Sequence, residues 1–163
     1  MYYDNQEIKS FEGIGDIKLG EKYENIVSIL KLHKIIYSMG INPNKDSFPQ
    51  VEWKTIYVKN YMNLVFAEDV LWRIDFIGNF KGKLNNGIEI GMDLSRALEL
   101  DKTLEFDDWD EIFCSKEGYC LIDFVDTGKV VSFSIGIKEL FSENEEEFYS
   151  YEWLKKYKKW QIR

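Results

Sequence analysis

Two stretches of this chain, residues 17–29 and 88–100, repeat one physical pattern without a gap. Ile17 aligns with Ile88, Leu19 with Ile90, Gly20 with Gly91, Tyr23 with Leu94, Ile26 with Ala97, Val27 with Leu98 and Ile29 with Leu100. In each copy a short alternating apolar segment ends at a glycine, which takes conformations other residues resist, and apolar residues three and four apart come next. The pattern predicts strand, turn and helix twice, with helices over residues 21–33 and 93–100 and Asp93 or Ser95 near the second N-terminus.

The segments after the two helices also repeat each other. Alternating segments predict strands over 53–59, 62–67 and 71–77 in the first half and over 109–115, 119–125 and 130–136 in the second. The short connections Asn60-Tyr61, Glu68-Asp69, Lys116-Glu117-Gly118 and Asp126-Thr127-Gly128 suit an antiparallel meander. The fold class is therefore α+β: tandem helix-plus-antiparallel-meander repeats, helices on one face of the sheet, and a C-terminal helix. Residues 1–163 form a single domain, with repeats over 11–80 and 84–137 and the last helix over 142–160. Ser142 and Glu145 make a capping-box pattern there, and Lys155, Lys156, Lys158 and Lys159 fill the last turns. Phe148, Tyr151, Leu154 and Tyr157 recur at three or four, so this helix docks on the body.

Period-two alternation sorts the strands into two faces. Ile56, Val58, Leu64, Phe66, Trp72, Ile74 and Phe76, with Ile112, Cys114, Cys120, Ile122, Phe124, Val131, Phe133 and Ile135, are expected to pack on the helices. The opposite face carries Trp53, Tyr57, Val65, Arg73, Asp75, Trp109, Glu111, Phe113, Tyr119, Leu121, Asp123, Ser132 and Ser134. Aromatics mixed with carboxylates on an open sheet have the composition of a protein-binding surface. The alternative is that the C-terminal segment or a second copy covers that face.

With 163 residues, 45% of them hydrophobic, the chain can bury a core without metal or disulfide staples. It has no apolar run of membrane-spanning length, and its start, MYYDNQEIKS, lacks a basic segment leading into an apolar one. That reads as cytosolic. The formal charge of -8 argues against a nucleic-acid backbone as ligand and for a basic partner drawn in electrostatically, plain solubility being the alternative.

No residue pattern carries catalysis, a metal or a cofactor. His33 is the only histidine and reads as a cation at a helix C-terminus. Cys114 and Cys120 face each other across neighbouring strands if their turn centres near Glu117; they read as two buried thiols, a cross-strand disulfide being the alternative in an oxidising compartment. The glycines at 13, 15 and 20 lack the spacing and the preceding strand of a dinucleotide loop. The acidic run Asp107, Asp108, Trp109, Asp110, Glu111 lacks the glycine-centred loop of an EF-hand; it reads either as an acidic rim for a basic partner or as a solvated strand start.

The tandem pattern, with Ile17-Lys18-Leu19-Gly20 and Ile88-Glu89-Ile90-Gly91 each opening a helix that precedes a meander, resembles the repeat of beta-lactamase-inhibitory-protein-like folds over most of residues 11–137. Outer-membrane lipoprotein assembly factors share a related single unit. The sequence departs from those relatives in lacking a secretion signal, a lipobox and paired cysteines in each repeat. The resemblance implies an exposed sheet face that grips a partner protein. An intracellular acidic version resembles bacterial toxin-immunity proteins of the contact-dependent growth inhibition type, whose targets include basic nucleases. The expectation is a nonenzymatic, cytosolic immunity or inhibitor protein. Trp53, Tyr57, Trp109 and Tyr119 would anchor its partner, while Asp75, Asp107, Asp108, Asp110, Glu111 and Asp123 steer it. A structural or self-associating domain is the alternative.

Overall fold

The computed structural model describes residues 1–44 and 50–158. The chain begins with a 3-10 turn, Tyr2–Asn5, and three two-residue strands, β1 (Ile8–Lys9), β2 (Gly13–Ile14) and β3 (Ile17–Lys18), that pair as a small antiparallel sheet. Helix α1 (Tyr23–Leu32) leads into β4 (Ser38–Asn44), β5 (Val51–Val58), β6 (Met62–Ala67) and β7 (Val70–Ile77). Helix α2 (Leu94–Leu100) leads into β8 (Glu105–Asp107), β9 (Ile112–Ser115), β10 (Tyr119–Phe124) and β11 (Lys129–Gly136). A second 3-10 turn, Lys138–Phe141, then precedes α3 (Glu146–Tyr149) and α4 (Trp153–Lys158).

The two meanders join into one eight-stranded antiparallel sheet of order β4-β5-β6-β7-β11-β10-β9-β8, the last strand of each repeat meeting at the centre. Backbone hydrogen bonds show the repetition most directly. The Gly20 N–H donates to the Leu71 carbonyl, Leu71 N–H to Glu21 and Tyr23 N–H to Asp69; the Gly91 N–H donates to Val130, Val130 N–H to Met92 and Leu94 N–H to Gly128. The same three bonds thus sew each helix entry to the start of its repeat's last strand. Gly20 and Gly91 take the same left-handed conformation, φ +85° and +90°, that this stitch requires.

The helices α1 and α2 lie over one face, through Ile26, Leu30 and Ala97. Beneath them cross-strand partners form continuous apolar rows, Ile56–Leu64–Ile74–Ile135–Tyr119 and Val58–Met62–Phe76–Phe133–Leu121–Phe113. This register corrects the expected facing of β9 and β10: Phe113, Tyr119 and Leu121 point to the helices, whereas Cys114, Cys120 and Ile122 share the opposite face with Asp75 and Ser134. A one-residue shift inverts a whole strand. Bulges cause two further corrections. One between Val65 and Phe66, opposite β7, sends Leu71 inward and Trp72 to the other face; one between Ile122 and Asp123 sends Val130 inward and leaves Val131 partly exposed. The Phe124 side chain lies outside the described residues.

The C-terminal segment packs on the face opposite α1 and α2. Phe148, Tyr151, Trp153 and Leu154 bury against Val51, Val65, Ala67, Val70 and Trp72, with Trp53 and Tyr157 at the margin. It docks as expected but is not one helix: Tyr151, at φ +57°, separates α3 from α4. The Ser142 hydroxyl accepts from Asn144 N–H, and the Asn144 side chain, not a Ser142–Glu145 box, accepts from Glu146 N–H. The expected helix residues 159 and 160, Lys159 among them, lie outside the described residues.

Candidate functional site

Three regions gather polar or exposed aromatic groups: the open part of the outer sheet face, the β8–β9 turn, and a cleft beside α2.

On the outer face, one row crosses the sheet as Tyr57, Asn63, Asp75, Ser134, Cys120 and Cys114. Cys114 and Cys120 are disulfide-bonded, which corrects the expectation of two thiols; they are directly opposed on β9 and β10, as the turn spacing predicted. Tyr57 is exposed. Asp75 is not a free acid: the Arg73 guanidinium lies 2.8 Å away and stacks on Trp72. Burial pushes its carboxyl above the usual carboxylate range, and Arg73 only partly opposes that. Trp53 sits at the edge of the C-terminal cover, its indole N–H donating to the Tyr151 hydroxyl at 3.2 Å, so it is part of internal packing.

The acidic run forms a hairpin tip rather than the start of a strand. The Asp107 carboxylate accepts from the Trp109 N–H at 2.9 Å and the Asp110 N–H at 3.3 Å, and Glu111 turns the chain at φ +54°. This holds Trp109 outward at 93% exposure, ringed by exposed Asp107, Asp108, Asp110 and Glu111. The tip lies near Tyr149, the last residue of α3. The Tyr149 phenol, 62% exposed, is pushed up by partial burial first and then by the charges of Asp110 and Glu145. Glu143, Glu145, Glu146 and Glu147, at and before α3, are also exposed, and Glu145 acts on the same phenol as Asp110.

The cleft, of about 670 Å³, is bordered by Phe11, Glu12, Leu84, Asn86, Leu100 and Glu117 and floored by Asp101 and Tyr119. Asp101, just past α2, is buried. One oxygen accepts from the Thr103 N–H (2.8 Å) and hydroxyl (2.7 Å), the other from the Ser115 hydroxyl (2.5 Å) and the Tyr119 phenol. Burial alone would raise its pKa, but the hydroxyls of Ser115, Tyr119 and Thr103 outweigh it and hold the group at about 2. With four donors around two oxygens, Asp101 braces the β9–β10 hairpin against α2. Tyr119, expected as an anchor on the open face, is buried in this network and also accepts from the Asn86 amide at 2.8 Å. Asp123 lies on the helix side by alternation with Leu121 and is half-buried.

His33 caps α1 and pairs with Asp16 at 2.6 Å, which also accepts from the Tyr3 hydroxyl at 2.9 Å; the Tyr2 ring stacks on the imidazole. Both cysteines are in the disulfide, so neither is a nucleophile here. Among the described residues no group of three His, Cys, Asp or Glu side chains is placed to hold a metal ion, and no helix is long and apolar enough to cross a membrane.

The structure thus brings Asp107, Asp108, Trp109, Asp110 and Glu111 together at one tip, leaves Tyr57 and the paired Asp75 on the open face, and withdraws Trp53, Tyr119 and Asp123 from it. Tyr149 and the α3 acids were not among the expected contacts; Glu145–Glu147 beside Phe148-Tyr149 was their only sequence signal.

No protein-family model matches the sequence, and no curated protein matches it. Among solved structures the fold is similar to that of the uncharacterised protein YfeY from Escherichia coli, with a TM-score of 0.52 and 14% identity over 78% of this chain and 98% of that one.

Proposed function

We propose that this chain is a nonenzymatic immunity or inhibitor protein that neutralises a basic toxin domain, a nuclease among the candidates, by binding it through the acidic, aromatic end of the sheet. The observation that carries this reading is the β8–β9 tip. Bonds from the Asp107 carboxylate to the backbone fix a turn that presents a 93% exposed indole among four carboxylates, with Tyr149 close by. Tryptophan is enriched among the residues that carry binding energy, and a backbone turn fixed in advance loses less entropy on binding than a mobile one. The surrounding negative charge accelerates encounter with a cationic partner.

A cytosolic site of action belongs to the same proposal. It requires that the tip survive reduction of Cys114–Cys120, since disulfides persist in oxidising surroundings. The Asp107 bonds and the β8–β9 ladder hold the tip independently of that bond. Self-association through the sheet face has less surface available, because the chain's own C-terminal segment occupies the part around Trp53 and Trp72. The test is growth rescue. If the gene beside its own encodes a secreted protein with a basic C-terminal domain, the chain should restore growth of cells that express that domain, and Trp109→Ala with Asp110→Ala should abolish rescue at equal soluble level. Full rescue by the double variant sinks the tip assignment.

A further inference from the structure

The two edges of the eight-stranded sheet are built differently. At one end β8 has three residues, two of them the carboxylates Glu105 and Asp107, a short charged edge that resists pairing with another strand. At the other end β4 has seven residues, pairs with β5 on one side, and has no strand on its other side among the described residues. Residues 35–44 carry no charged side chain, in a chain where 31% of residues are charged. Met39 and Ile41 are 46% and 55% exposed; Leu32 at the end of α1 and Ile36, in the segment leading into β4, are 73% and 90% exposed. Met39 lies opposite Ile56, on the helix face, beyond the shelter of α1. Pro43 lacks an N–H and blunts only the far end of the strand.

We infer that the β4 edge is a self-association surface, on which a second copy of this chain adds its own β4 antiparallel to the first and continues the sheet across the dimer. Two observations favour a second copy over another protein. Antiparallel pairing centred on Gly40 is self-complementary: Gly40 faces Gly40, Met39 faces Ile41 and Ser38 faces Asn42, so the apolar groups meet on one side. The charge pattern agrees. Two chains of charge -8 repel over most of their surfaces, and the uncharged stretch 35–44 is where they approach without bringing carboxylates together. A basic partner is drawn instead to the acidic tip at the opposite edge, seven strand spacings or on the order of 30 Å away. The inference does not depend on the identity of that partner.

The test is sedimentation equilibrium of the full chain from about 1 to 100 micromolar, spanning ordinary homodimer affinities. The wild type should reach twice its 19.4 kDa mass. Ile41→Lys, checked as folded by its unfolding midpoint, should sediment as a monomer throughout. Hydrogen exchange gives a second readout, amides of 38–42 becoming at least tenfold slower at the high concentration in wild type and not in the variant. A wild type that stays monomeric overturns the inference, as does an Ile41→Lys protein that still dimerises or protection that appears elsewhere than β4. If Ile41→Lys fails to fold, Met39→Lys takes its place with the same expected outcomes.

Discussion

Replacing Asp101 with Asn keeps the shape of the side chain and removes the charge on which four donors converge. The structure sets the magnitude. Asp101 is held at about 2 against its ordinary 3.8, and at about 1.4 kcal/mol per pH unit the ionised form contributes about 2 kcal/mol to folding. A group whose pKa is depressed in the fold gives its full stabilisation above its unfolded value and loses it as pH falls through the folded one. The contribution is therefore complete above about pH 4 and fades toward pH 2. The amide introduced by Asp101→Asn would also turn its N–H₂ toward the Ser115 and Tyr119 or the Thr103 donors, leaving a buried hydroxyl unmatched at a further cost of about 1 kcal/mol. Urea unfolding, with the slope shared between proteins, should show Asp101→Asn less stable by about 2–3 kcal/mol at pH 7 and the gap narrowing between pH 4 and 2. Parallel pH profiles for the two proteins over that range would refute the reasoning, because a merely steric defect has no such window.

Other outcomes rest on the same geometry. Reducing Cys114–Cys120, which closes a loop with a sequence separation of 6, should cost about 2 kcal/mol in urea unfolding by the chain-entropy relation, and a denatured but unreduced sample should bind no maleimide. Gly91→Ala should cost about 1 kcal/mol for its left-handed backbone alone, since a Cβ there meets nothing within 4 Å; Gly20→Ala should cost more, because its Cβ would lie 2.5 Å from the Tyr157 ring. Equal costs would mean that α4 does not pack on the first repeat. Phe148→Ala should lose about 3–5 kcal/mol and shift tryptophan emission to the red as Trp72 and Trp153 gain water, both of which pack on that ring.

The elements that could be read in advance were those whose signal is local. The ungapped alignment of 17–29 with 88–100 reports a backbone stitch that each copy makes with its own glycine, so it survives in the letters. The bodies of β5, β6, β7 and β11 alternate clearly and fall within two residues of expectation. On β10, by contrast, Tyr119-Cys120-Leu121-Ile122 is apolar at every position, so period two cannot choose a face. Only pairing with Phe133 and Ile135 does. Trp72 and Val131 were misplaced by bulges, which insert one residue and leave no mark in composition. β4 leaves no strand signal in the sequence because Ser-Met-Gly-Ile-Asn-Pro-Asn has weak strand propensity and is held by its neighbour β5 rather than by its own pattern. Asp101, Ser115 and Tyr119 meet only after α2 and the β9–β10 hairpin dock. Trp109 and its acids lie together on the surface, although a turn, not the expected strand, presents them.

The most direct test of the binding proposal is titration calorimetry of the chain against a purified basic toxin domain, chosen from the gene beside its own if that gene encodes one, at low and at physiological salt. Binding should weaken as salt rises, because screening removes the attraction of the tip and α3 carboxylates. Trp109→Ala with Asp110→Ala should weaken it by about 2 kcal/mol or more, roughly thirtyfold, as loss of a central aromatic anchor does. Unchanged affinity in that double variant, or no binding by the wild type, contradicts the proposal.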